Sequence, residues 1–284
     1  MNFEEIREIH KKRVGKECEL LSISKQGRVI LAEFGGNVLE SCCAVDYFED
    51  FAILLRELTN IPHTVFSVNR LIDRFIVKIA ILDFINEIKN VINECKEIVN
   101  TRIKEFEEIG KNEDSVFKEL CFCILTANYS AKKGMIIQYS IGDGFIHLSK
   151  EELYKKLIEL GYRFPNRVNY IIEARKYYGN LLKIINEFKN SFFAREWLIK
   201  NIKGIGYKEA SHFLRNIGFK DLAIIDRHIL KYLINKELTN YKNLTKKRYL
   251  ELEILLSSIA NELNITLAEL DLYIWYLSTG EILK

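Results

Sequence analysis

Proline and glutamine are almost absent from this chain, with 2 of each in 284 residues. So few prolines exclude a Pro-rich tail, a polyproline linker and any collagen-like segment. Cysteine is present but wrongly spaced for metal. The 6 cysteines, at 18, 42, 43, 95, 121 and 123, offer no second Cys pair or Cys–His spacing of the kind zinc needs, so neither metal nor cofactor is expected. Cys121 and Cys123 lie inside the apolar run 120–125, where a free thiol behaves as a small hydrophobe. No stretch approaches the ~18 uninterrupted apolar residues of a membrane helix. The opening Met1-Asn2-Phe3-Glu4-Glu5 does not read as a signal peptide. A large excess of one charge is also missing: 42 Lys and Arg against 39 Asp and Glu leave a net +3, far from a histone-like binder. What remains, 48% hydrophobic and 29% charged, is the composition of a globular protein with a full core, expected in the cytoplasm.

The hydrophobic period changes along the chain. Residues 17–24 and 28–34 are β-favouring runs on either side of Lys25-Gln26-Gly27. Residues 47–58 have helical spacing with Asp46 as an N-cap, and 63–68 and 74–81 form a second strand pair. Residues 1–82 therefore read as a small α+β unit in ββαββ order. Its 11 basic and 12 acidic residues give it no attraction for nucleic acid, and its edge strands suit a protein partner. From Asp83 the period is helical throughout, starting with a long amphipathic stretch over 83–110 that closes on Gly110 as a C-cap. The expected architecture is mainly α: an all-helical domain over 83–284, preceded by the accessory α+β unit.

Chemistry concentrates between Trp197 and Leu230. The string Ile202-Lys203-Gly204-Ile205-Gly206-Tyr207-Lys208 predicts a tight hairpin between two helices, spanning about 196–217. Gly204 and Gly206 would let a phosphate approach backbone N–H groups, and the following helix N-terminus favours negative charge. Residues 195–231 hold 8 basic and 4 acidic side chains. Such a hairpin grips DNA without reading its sequence, although a lone G-x-G also serves as a plain helix connection. Lys208 opens the second helix beside any bound phosphodiester. Asp226 follows the apolar residues 222–225 and precedes Arg227 and His228, where it can cap a helix. Taken singly, these are also what a surface lysine and an N-cap aspartate look like.

Taken together, the hairpin, Lys208 and the Asp226-Arg227-His228 string resemble the helix-hairpin-helix-Gly/Pro-Asp superfamily of DNA glycosylases, with Lys203 where proline is usual. Leu125-Thr126-Ala127-Asn128-Tyr129-Ser130 is similar to the superfamily's L-S-x-Q-x-T element. The strings 117–125, 206–216 and 275–280 resemble the second, largely archaeal type of 8-oxoguanine DNA glycosylase/lyase. The likeness covers about 83–284, and the iron–sulfur cysteine loop of the endonuclease III branch is absent.

The resemblance implies a bifunctional enzyme acting on double-stranded DNA that carries 8-oxoguanine or abasic sites, in the cytoplasm at a prokaryotic nucleoid. Lys208 would be the Schiff-base nucleophile and Asp226 its carboxylate partner. Phe164, Trp275 and Lys284 would bind the flipped base. Asn128 would fill the gap it leaves, and Gly204, Gly206, Arg227 and His228 would hold the backbone. A glycosylase for another oxidised base, an abasic-site lyase alone, or a non-catalytic helix-hairpin-helix module are the alternatives. Arg163, Arg167 and Arg175 fit either DNA contact or a solvated helix face.

Overall fold

A computed structural model describes residues 2–284. Its elements run in the order α1 (Phe3–Val14), β1 (Glu19–Gln26), β2 (Val29–Gly35), α2 (Ala44–Thr59), β3 (His63–Arg70) and β4 (Phe75–Ile81), after which everything is helical. The helices are α3 (Ile85–Ile109), α4 (Glu113–Thr126), α5 (Ala131–Ile141), α6 (Gly144–His147), α7 (Lys150–Glu159), α8 (Val168–Ala174), α9 (Leu181–Asn186), α10 (Ser191–Asn201), α11 (Tyr207–Asn216), α12 (Arg227–Asn235), α13 (Lys246–Leu263) and α14 (Leu267–Thr279). The mainly helical body with a small α+β start matches the expected class.

Two details of the start differ from the sequence reading. Helix α1 was not anticipated, yet its signals are written out: Asn2 caps it by accepting from the N–H of Glu4 and Glu5, with acids in the first turn and Lys11, Lys12 and Arg13 in the last. Helix α2 starts earlier than expected, so Asp46 sits inside its first turn and Cys43 holds the cap position.

The compact units do not follow chain order. One comprises residues 2–93 with Arg227–Ile265. Its four strands form an antiparallel sheet in the order β1-β2-β4-β3. Alternation sends Ile30, Ala32 and Phe34 of β2 and Phe75, Val77, Ile79 and Ile81 of β4 to one face. There they pack with Phe48, Phe51, Leu54 and Leu55 of α2. Strand residues Val29, Leu31, Phe66 and Lys78 line a cavity of about 460 Å3 together with Leu238, Tyr241 and Glu251. Lys78 Nζ lies 2.6 Å from Glu251 Oε1, and the Tyr241 hydroxyl donates to the same oxygen at 3.0 Å. Gly27, at φ +58°, is required where the β1–β2 turn meets the end of α12: a Cβ there would stand 2.6 Å from that of Glu237.

The second unit comprises Glu94–Asp226 and Thr266–Lys284. Its core is centred on α4, which is buried from Val116 to Thr126 except at Lys118 and surrounded by Phe145, Leu153, Leu157, Ile171, Leu198, Phe213 and Leu214. Gly110 does follow α3, but not as a left-handed cap. The reason for glycine is a close approach, since a Cβ would fall 2.1 Å from the Ile217 carbonyl oxygen.

Candidate active site

Helices α10 and α11 form the hairpin in the second unit. They are locked by a buried arginine: Arg195, 1% exposed, donates to Ser211 Oγ at 3.1 Å and lies over the Tyr207 ring. In the turn, Gly204 takes φ +88° and presses on the Tyr170 ring. Gly206 is extended, at φ −117°, and its N–H donates to Glu209 Oε2 at 3.4 Å. The turn thus has one glycine that needs its freedom and one whose donor already has an acceptor.

Lys208 is the second residue of α11, and its side chain is 24% exposed, 3.9 Å from Glu209. One and two turns further along the same face come His212 and Arg215, 6% and 4% exposed. Burial first, then the nearby cations Lys208, Arg215 and Lys284, hold the His212 ring well below the usual histidine range. Arg215 lies 3.3 Å from Asp271 of α14 and 4.6 Å from the Phe106 ring centre. Burial pushes the Asp271 carboxyl up to about 6; Arg215 opposes this, Asp226 adds to it, and Lys208 opposes it. Lys208 and Asp226 therefore act on the same buried carboxyl from this one unit. Asp226 is half-buried and stands directly ahead of α12.

Asn128, Phe164 and Gly204 meet around a second cavity, of about 590 Å3, which Arg163, Arg167, Tyr170 and Glu209 also line. Asn128 is exposed at φ +53° between α4 and α5, a conformation asparagine tolerates better than most residues. The Phe164 ring is flanked by the guanidinium groups of Arg163 (5.4 Å) and Arg167 (4.9 Å). Arg167 is not a solvated residue. Its Nη1 donates to the carbonyls of Ile124, Leu125 and Ala127, closing the C-terminus of α4. Arg175 likewise turns inward, donating to the Phe145 carbonyl at 2.9 Å.

Trp275 does not line that cavity; it is half-buried on α14, one turn beyond Asp271. Lys284 is held by Glu119, a carboxylate 1% exposed inside α4. Lys284 Nζ approaches Glu119 Oε2 to 2.7 Å and the Phe122 ring centre to 4.5 Å. Asn216 and Gln138 donate to the same carboxylate at 2.7 and 3.1 Å. A buried acid so fully paired carries little desolvation cost. Sequence reasoning passed over Glu119, although a lone acid inside the run 117–125 is the signal such a site leaves. Arg227 and His228 belong to the other compact unit, where Arg227 Nε donates to His228 Nε2 at 3.3 Å.

The sequence profile of the 8-oxoguanine DNA glycosylase family matches residues 99–265, more than half of the chain. The chain belongs to that family. The 8-oxoguanine DNA glycosylase/AP lyase of Methanocaldococcus jannaschii is 52% identical over 204 residues, covering 70% of this chain and 97% of that protein. The one from Korarchaeum cryptofilum is 48% identical over 206 residues, or 71% and 98% of the two chains. The crystal structure of the M. jannaschii glycosylase/lyase in complex with a 15mer DNA containing 8-oxoguanine superposes with a TM-score of 0.68. It shares 51% identity over 71% of this chain and 99% of that one. Only residues 266–284 follow the matched span, so most of the uncovered part of this glycosylase lies ahead of residue 99.

Proposed function

We propose that this glycosylase excises 8-oxoguanine from duplex DNA and then nicks the strand at the resulting abasic sugar, using Lys208 as nucleophile and Asp226 as its carboxylate partner. The observation that carries this reading is the setting of Lys208. It is a three-quarters buried amine on the first turn after the hairpin, and it and Asp226 both act on the buried carboxyl of Asp271.

A base stacked in a duplex must first be extruded, at a cost of a few kcal/mol. Phe164, backed by two guanidinium groups, offers a stacking face in the cavity that Asn128 also lines. Trp275 and Lys284, which lie outside that cavity, are base contacts in this reading, and Arg227 and His228 backbone contacts. The neutral amine of Lys208 attacks C1′. The C1′–N9 bond breaks, its electron pair leaves with the base, and the base takes up a proton. Asp226 stabilises the positive charge that develops on the sugar and accepts the amine's proton, an effect strengthened where water is excluded. The C1′–O4′ bond then breaks as the nitrogen lone pair forms the C=N bond, and Asp226 returns the proton it accepted to O4′. The resulting protonated imine acidifies C2′, which loses a proton as the C3′–O bond breaks, releasing the 3′ phosphate. The enzyme works in the cytoplasm, at the nucleoid; among the described residues no helix is long and apolar enough to cross a membrane. Residues 1–82 act as an accessory unit.

Borohydride trapping on duplexes carrying 8-oxoguanine, another oxidised base or an abasic site tests the reading. Lys208→Gln is expected to abolish the covalent adduct and the nick while lesion binding persists. Asp226→Asn is expected to slow excision by about 2–4 kcal/mol of barrier. An adduct that survives in Lys208→Gln assigns the chemistry to another amine.

A further inference from the structure

Several cations in the unit that holds the sheet are paired within it: Arg28 with Asp83, Arg56 with Glu262, Arg74 with Asp73 and Glu33, and Lys78 with Glu251. Residues 227–248, where Lys236 pairs with Glu87, are set apart by the sign of their charge. They hold seven Lys or Arg and a single acid, Glu237, in a chain whose total net charge is +3. The charge gathers at the far end of the segment, where Lys242, Lys246, Lys247 and Arg248 are all exposed.

Helix stability does not account for that cluster. Lys246, Lys247 and Arg248 are the first three residues of α13, behind the capping Thr245, and the first turn carries no acid. Cations at that end oppose the helix dipole and cost stability. Arg248 is nevertheless fixed in place, 4.7 Å from the Tyr241 ring centre and donating to the Asn243 carbonyl at 3.1 Å. The exposed side chains of 242–248 are Lys, Asn, Thr and Arg; Leu244 is half-buried and Tyr249 is buried. A protein interface would need an apolar centre here. A phosphate backbone needs only charge and donors.

We propose that Lys242, Lys247 and Arg248 form a second phosphate-binding surface for duplex DNA, on a different compact unit from the hairpin. This rests on the reading that duplex DNA is the substrate. The surface adds affinity for any duplex and contributes nothing to lesion choice.

The test is binding of the full-length protein to an undamaged duplex between 50 and 200 mM salt, followed by fluorescence anisotropy. The variant replaces Lys242, Lys247 and Arg248 by glutamine. Each phosphate contact contributes about −0.9 to the slope of log K against log salt, so the slope should become shallower by about 2–3 and Kd at ~150 mM salt rise at least about tenfold. The melting temperature should hold or rise, because the dipole conflict is relieved. A control replacing the exposed Lys11, Lys12 and Lys16 by glutamine makes the same change in net charge and should leave the slope unaltered. An unchanged slope in the first variant, as an acidic protein partner would give, overturns the proposal, and so does an equal loss in the control. If the unaltered protein fails to bind duplex DNA at all, the functional reading falls instead.

Discussion

Asp271 shows how one buried group ties the site to solution conditions. It is 9% exposed, and burial holds its carboxyl up at about 6. In the unfolded chain it ionises near the ordinary aspartate value, so between about pH 4 and 6 the folded state binds the extra proton. The stability associated with Asp271 is therefore complete below about pH 4 and is lost as pH rises through 6. Asp271→Asn keeps the shape without the titration. The stability gap between wild type and Asp271→Asn should shrink by about 2–3 kcal/mol from pH 4 to pH 7, measured by urea unfolding. A gap that stays constant would mean the carboxyl titrates normally. Lys208 and Asp226, the proposed pair, stand out in the sequence because each carries a local signal, a lysine straight after a glycine hairpin and an acid ahead of a helix. Asp271, Arg215 and Glu119 were not, because what makes them matter is burial and pairing across 56 and 97 residues of chain.

Among the elements, the hairpin of α10 and α11 depends on Gly204. At φ +88° any side chain is strained, and a Cβ would come within 2.5 Å of the Tyr170 ring. In the proposed role the hairpin holds backbone and not base, so Gly204→Ala should cost about 1–3 kcal/mol of stability and weaken damaged and undamaged DNA equally. Preferential loss on damaged DNA in a competition assay would place Gly204 in base recognition. The strands and most helices could be read from periodicity because they are half-buried, and half-burial is what periodicity records. Helix α1 escaped for a related reason: its apolar face is narrow, with only Ile6 and His10 buried, and its charged ends carry the signal. Gly110 closes α3, as its position predicts, its N–H donating to the Phe106 carbonyl at 3.1 Å. The further constraint on it, the Ile217 carbonyl, lies more than a hundred residues away.

At the scale of the whole molecule, the first 82 residues are bound into the family's own chain. Lys78 pairs with Glu251, Arg56 with Glu262, and the Arg28 N–H donates to the Glu237 carbonyl at 3.2 Å. A chain beginning at Asp83 would have the length of the relatives, yet it would leave Glu251 without its lysine and uncover one side of α13. Its melting temperature should fall by about 10 °C, equivalent to ~3–5 kcal/mol, in a calorimetric scan. An unchanged melting temperature would make residues 1–82 a passenger. The same arrangement sets a schedule for synthesis. The sheet can close one face as soon as Ile81 has left the ribosome, because α2 and the strands supply that core themselves. Its other face, with Val29, Leu31 and Phe66, lines a cavity completed by residues 234–251. At about 5–20 residues per second those arrive about 8–34 s later. During that interval the nascent chain displays a half-covered sheet, and that surface, absent from the finished enzyme, is what a chaperone would meet.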